Sequence, residues 1–486
     1  MSHAKGGAAH SRRGVVWVAG LTLMLSACAV TPEPVTHAEL TEHAKADRTF
    51  LASWPLTGPL TLDEARRRAL SYNLDMRVRV MEEALAQDQL DLSRWDMLPK
   101  VTAQAGYTSR SNEAGSSSQS VATGQQSLEA STSQERTRRV ADLSMTWNAL
   151  DFGVGYFSAR QNADRALIAA ERRRKTAHLL VQDVESAYWR AVSAQALTES
   201  ILRTMTEAEA ALDDSRRVEA ESLRSPLDSL RYQRGLLEIL RQLDALRLEL
   251  STAKAQLAML VGLAPGKPFE LAQPDEATMT VTLPSADFEQ LEETALLQNP
   301  DLREHIYNRR ISAAESRKAL LKLLPGISLT VSRNYDSNKY LVHNAWNERG
   351  LAVAWNLMNL FTAQSSLKLA ESGETIAEAR RQAAAMAILT QLHVAHTQAT
   401  MAAHQFERAD ALDKVESRIS IHLTNRAAAD ALGRLEQVSG ESSAIVARLR
   451  RFLAYAEYRG ALGRLKATLG DEILPEAAAA DPEPKV

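Results

Sequence analysis

Residues 141–153 read ADLSMTWNALDFG, with apolar side chains at every second position: Ala141, Leu143, Met145, Trp147 and Ala149. Period two predicts a strand with one apolar and one polar face. The surrounding sequence is Ala-rich, Leu-rich and charged, as helices are. A second strand of the same kind opens LAVAWNLMNLF at Leu351, so the chain reads as mainly helical with a small β part.

The pattern occurs in two copies. TLDE at residues 61–64 predicts a capping box, with Thr61 as N-cap and Glu64 returning to its backbone, ahead of one helix that stops before Pro99. A shift of 226 carries Thr61 and Glu64 to Asp287 and Gln290, Asn73 to Asn299, and Leu98-Pro99 to Leu324-Pro325. Beyond each proline lies a strand, Val101, Ala103, Ala105 and Tyr107 in one copy and Ile327, Leu329 and Val331 in the other. Trp147-Asn148 then matches Trp355-Asn356 at a shift of 208, which holds through Val261-Gly262 and Leu469-Gly470. So many matches at fixed spacing indicate a duplication. The shortfall between the two shifts lies in the polar, low-complexity loop of the first hairpin, SNEAGSSSQSVATGQQSLEASTSQE, which marks its solvated end.

Each copy has the plan helix, β-hairpin, long helix, long helix. Residues 156–212 contain neither proline nor glycine, and at 1.5 Å per residue a helix of that length extends roughly 85 Å. Leu236, Ile239, Leu243, Leu246, Leu250, Ala253, Leu257 and Leu260 form a heptad seam, which needs neighbouring helices along its length. The organisation expected is therefore 61–262 as first repeat with a hairpin at about 100–151, 263–287 as connector, and 288–470 as second repeat with a hairpin at about 326–358. Residues 471–486 read as a disordered tail.

The first residues add an address. Lys5, Arg12 and Arg13 precede GVVWVAGLTLML, which is too short for a stable bilayer span and reads as an export signal over 1–27. It ends in Leu-Ser-Ala before Cys28, the chain's one cysteine. That order resembles the lipobox of bacterial lipoproteins, which implies acylation of Cys28 and an anchored, extended segment over 28–60. Ala29 is not the Asp of an inner-membrane retention signal, which favours the outer membrane. No later stretch offers about 20 consecutive apolar residues, so any span of the mature chain is made of strands.

Four strands cannot close alone in hydrocarbon, where every backbone N–H and C=O must be paired. Membrane strands would therefore require a homo-oligomer, eight strands from two chains or twelve from three. Tyr107, Trp147, Trp346 and Trp355 lie in or near the strand ends, as belt aromatics would. The plainer alternative packs both hairpins on a soluble core, for which the chain supplies no second layer.

The duplicated LDEARRRAL and LEETALL helices, Asn73 and Asn299, the LP turns, the two WN strands and Cys28 together resemble the TolC-like outer-membrane efflux proteins, lipid-anchored subclass, over about residues 60–470. The resemblance implies a trimeric outer-membrane β-barrel continued by a periplasmic α-helical barrel. It implies a passive exit duct for an inner-membrane pump and a periplasmic adaptor, serving drug or metal efflux, or else protein or polysaccharide secretion. Two departures fall at the helical tips. RVEAESLRSPLD keeps Arg217, Ser225 and Leu227-Asp228 but has Glu221 and Ser222 where glycine is expected, and NRAAADALGRLE keeps only Leu435-Glu436, with glycine displaced to Gly433.

Composition narrows the function classes. A formal net charge of −3, with Lys and Arg interspersed among Asp and Glu, gives no support for a nucleic-acid partner. GxSxG, P-loop and HExxH motifs are absent, so neither an enzyme nor a cofactor is indicated. His393, His396 and His404 share one helical face and form the weak candidate for passing a metal; a polar strip between helices is the plainer reading. Arg217, Arg224, Asp228, Arg426, Asp430 and Glu436 are the candidate gate charges, since helix ends converging on an axis repeat each charge. The competing class is a lipid-anchored, non-conducting coiled-coil spacer of the envelope, which needs no alternating strands.

Overall fold

The structure is a computed structural model, and it describes residues 33–51, 56, 58–127, 129–221, 225–264, 266–272, 279–282, 287–428 and 434–470. Cys28, Arg224 and Asp430 lie outside the described residues. The N-terminal unit ends at Pro55 and contains helix α1 (His37–Leu51). An extended chain was expected there. The helix forms because Thr36 and Glu39 cap each other: the Glu39 carboxylate accepts from the Thr36 N–H at 2.7 Å, and the Thr36 hydroxyl accepts from the Glu39 N–H at 3.3 Å.

The second unit begins at Leu56. In α2 (Leu62–Tyr72) the Thr61 hydroxyl accepts from the Glu64 N–H, while the Glu64 carboxylate bonds Arg67 at 2.6 Å rather than returning to Thr61. The single helix expected up to Pro99 is broken at Asn73, whose extended backbone ends α2 and starts α3 (Leu74–Trp95). Asn73 accepts from the Met76 N–H and donates through Nδ2 to the Leu260 carbonyl at 3.2 Å. Asn299 does the same between α7 (Phe288–Gln298) and α8 (Pro300–Leu321), accepting from Asp301 and Leu302 and donating to the Thr468 carbonyl at 2.9 Å. Each asparagine thus caps its own helix and fastens it to the far end of its own repeat.

The hairpins follow. Strands β1 (Lys100–Ser109), β4 (Thr137–Asn148), β5 (Gly326–Asp336) and β6 (Ala345–Ala354) form one antiparallel sheet in that order, and β2 (Gly115–Ser116) pairs with β3 (Ser131–Thr132) in the first loop. The β4–β5 pairing joins the two repeats. From the strand roots run α4 (Ala149–Ala220, 72 residues) and α9 (Met358–Ala428, 71 residues), each about 105–110 Å at 1.5 Å per residue. Gly153 and Gly155 lie inside α4 because they permit close approach: a β-carbon would sit 3.0 Å from Leu321 Cδ1 at the first and 3.3 Å from the Asp96 carbonyl at the second. The return helices are α5 (Pro226–Ser251) with α6 (Ala253–Leu260), and α10 (Arg434–Leu469).

The core runs between these helices. Leu236, Leu243, Leu250, Ala253 and Leu257 of the heptad seam are buried, and Ile239, Leu246 and Leu260 flank them. Trp189 meets Tyr455 edge-on at 4.6 Å between centroids, with Tyr188 and Phe406 beside them, linking α4, α9 and α10. The connector straps across the helices: Leu60 and Leu271 form a parallel bridge, Gln195 bonds both N–H and C=O of Leu271, and the Tyr458 hydroxyl bonds Thr282.

Gly262 and Gly470 end the two repeats at φ +68° and +79°, and an added β-carbon would lie 2.9 Å from the Tyr72 carbonyl oxygen in one and 2.5 Å from that of Gln298 in the other. Gly262→Ala therefore combines left-handed strain with a backbone clash, and a loss on the order of 2–3 kcal/mol is expected. Gly266→Ala, also at positive φ but with nothing within 4 Å, carries the strain alone. Thermal denaturation of the two variants should rank Gly262→Ala as the less stable.

Candidate functional site

The sheet is inverted relative to a water-soluble one. Odd-numbered residues of β4 and β5 are mostly exposed, among them Leu143, Met145, Ile327, Leu329 and Tyr335, and Leu351 and Val353 continue the surface on β6 at 73% and 67% exposure. The other face is polar and more sheltered. There Thr102 and Ser144 hydroxyls bond at 2.8 Å, Arg138 pairs with Asp336 at 3.4 Å, and Asn334 donates to Asp142 at 3.0 Å and accepts from Trp346 Nε1 at 3.2 Å. Alternating apolar and polar residues thus place the apolar set outward. Among the described residues, β1 and β6 each pair on one side only, leaving two open edges. No described helix is long and apolar enough to cross a membrane.

Tyr107, Trp147 and Trp355 follow the apolar face. Tyr107 stands opposite Arg139 near the loop end; Trp147 stands opposite Leu329 near the helical roots, 6.0 Å from the Phe152 ring; and Trp355 donates its indole N–H to the Leu323 carbonyl at 3.0 Å. Trp346 was expected with them and lies on the polar face, because its register partner is Asn334. Asn148 and Asn356, which repeat in the sequence after their tryptophans, both cap long helices. Asn148 caps α4 by accepting from Leu150 and Asp151 and donates to the Ser328 hydroxyl at 2.8 Å, tying the root of β4 to β5. Asn356 accepts from the Met358 N–H at the start of α9. The repeated Trp-Asn pair was the available signal for this role. Asn338 joins the two hairpin loops through Ser133 and Glu135 and has no sequence signal.

Among the candidate gate charges, Arg217 pairs with Asp214 at 2.5 Å, and Asp228 lies 3.9 Å from Arg231, all exposed. Arg426 and Glu436 are exposed at the end of α9 and the start of α10. Among the described residues no ion pair joins any of these four to another. A small core of Ala208, Ala211, Leu212, Leu236 and Val438 holds α10 against α4 and α5 there. The histidines have partners other than a metal site: His393 bonds Glu292 at 3.0 Å and stacks with Phe288, His396 meets the same ring edge-on, and His404 bonds Glu407 at 3.2 Å. Among the described residues no group of three His, Cys, Asp or Glu is placed to hold a metal.

Neither a family model nor a curated protein matches the sequence. Solved structures do. The CusC channel matches with a TM-score of 0.64 at 18% identity, covering 87% of this chain and 96% of its own. The Neisseria gonorrhoeae outer-membrane channel MtrE matches at 0.64 and 17%, covering 84% and 88%. The Campylobacter jejuni outer-membrane channel CmeC matches at 0.65 and 14%, covering 91% and 93%. The chain has the fold of the TolC-like outer-membrane channels.

Burial raises the Glu441 carboxyl above the ordinary range, against a hydrogen bond from Gln437, and the nearby Glu207 carboxylate raises it further. The folded state therefore takes up this proton at a higher pH than the unfolded chain. Its ionisation costs stability, and stability from this group rises as pH falls through its folded pKa, levelling off below the ordinary glutamate pKa. Glu441→Gln is expected to raise the melting temperature at pH 7.5 and to flatten its pH dependence in mild acid.

Proposed function

We propose that this chain is the outer-membrane exit duct of a tripartite export system, conducting passively what an inner-membrane pump delivers through a periplasmic adaptor. The observation that carries the proposal is the sheet with an apolar outer face and two open edges. In hydrocarbon those edges must be paired, and in a homotrimer β6 of one copy would pair with β1 of the next to give a closed barrel of twelve strands. The long helices would continue that barrel through the periplasm, with a lipid anchor at Cys28. Arg217, Arg224, Asp228, Arg426, Asp430 and Glu436 are proposed as tip and gate residues that meet the adaptor and set the entrance charge. A duct of this kind needs no catalytic group and no cofactor.

Mass measurement of the detergent-extracted particle with planar-bilayer recording tests this reading. A trimer that conducts is expected; a monomer without conductance would favour the spacer. Leu351→Lys puts a charge on the outer face, worth about 2–4 kcal/mol if it sits near the bilayer midplane, and should reduce membrane-inserted trimer. Thr330→Lys, on the polar face, should leave the trimer intact. Cys28→Ser is expected to abolish labelling by radioactive palmitate.

A further inference from the structure

The outer face of the sheet is not uniformly apolar. The register places Arg333 beside Leu143 and Asn347, Arg349 beside Val331, and Arg139 beside Tyr107, all on the outward side. All three are exposed, and none forms an ion pair among the described residues. Arg333 and Arg349 are diagonal neighbours, within reach of one common anion. No Asp or Glu stands on the outward face of any of the four long strands; Asp142, Asp336 and Glu348 all belong to the polar face. Joining β6 of one copy to β1 of another would supply no carboxylate either, since the outward residues of β1 run from Val101 to Tyr107 without an acid.

Arg139 and Arg333 lie toward the loop ends of β4 and β5, with Tyr107 and Tyr335, and Arg349 lies at the middle of β6, opposite Val331. The root half holds Ile327, Leu329, Leu351, Val353 and Trp147, and exposed apolar residues continue past the roots at Leu324, Trp355 and Phe361. On β5 and β6 the apolar band is thus displaced toward the helices, and Arg349 and Arg333 border it on the loop side. A guanidinium facing lipid is costly unless it reaches an anion, and long side chains at a band margin extend toward the headgroups. The anion that matches two adjacent guanidiniums is a phosphate, which accepts paired N–H bonds.

We propose that Arg333 and Arg349, with Arg139 above them, form a receptor on the outer wall for the phosphate of a lipid headgroup in the outer leaflet. The inference rests on the membrane reading of the sheet. Its test is native mass spectrometry of the full chain extracted with excess phosphatidic acid or phosphatidylcholine, alongside planar-bilayer conductance. Wild type is expected to retain phosphatidic acid several-fold better than phosphatidylcholine, and R333A/R349A to lose that preference while still conducting. Should the alanine variant fail to assemble, R333K/R349K decides: its charge is kept and its paired geometry lost, so reduced preference is expected. Equal preference in wild type and a conducting variant would overturn the proposal. Displacement of the lipid by millimolar inorganic phosphate would also overturn it, assigning the site to a soluble anion. A conducting trimer without lipid preference defeats this inference alone, whereas a monomer that neither conducts nor retains lipid defeats the duct itself.

Discussion

The organisation of this protein depends on where the backbone hydrogen bonds of β1 and β6 go. Inner strands β4 and β5 are paired on both sides, and each outer strand has one free row of N–H and C=O groups. In water such edges are tolerated; in hydrocarbon each unpaired group costs several kcal/mol. On the proposed function the apolar outward residues face hydrocarbon, and the same alternation that would draw the sheet into lipid would forbid it to remain open. Assembly and insertion would then be one constraint.

The helical part meets a related constraint in a different way. Helices longer than 70 residues cannot bury a stripe against a compact core, and the chain answers by duplication. The return helices of each repeat lie against the long ones, and the repeats are closed at matching points. Asn73 and Asn299 pin a cap to a carbonyl at the end of their repeats, and Gly262 and Gly470 approach the backbone too closely for any side chain. Between them Glu185 of α4 holds Arg66 of α2 and Arg459 of α10, connecting the first repeat to the second. The sheet thus stands on a rigid base, with Asn148 binding the root of β4 to β5.

Much of this was legible in the sequence because it follows from local periodicity. The period-two runs were strands, and the Leu236 to Leu257 seam was buried. Local pattern failed where a distant partner decided the outcome. Asn73 lies between Leu70 and Leu74 in an apolar rhythm that suggests a continuous helix, yet its amide bonds a carbonyl far along the chain. β4 begins at Thr137 and β6 at Ala345, earlier than alternation showed, because Arg139, Asn347 and Arg349 are polar residues on the outward face and disguise the period. Trp346 fell on the unexpected face because register, set by pairing with Asn334, is invisible in composition.

The central claim concerns the edges, and amide hydrogen exchange of the protein in lipid nanodiscs probes them directly. If copies join edge to edge, amides of β1 and β6 will be protected to the same degree as those of β4 and β5. Rapid exchange confined to the free sides of β1 and β6 would contradict the account, for it would mean that water, and not a sister strand, satisfies them.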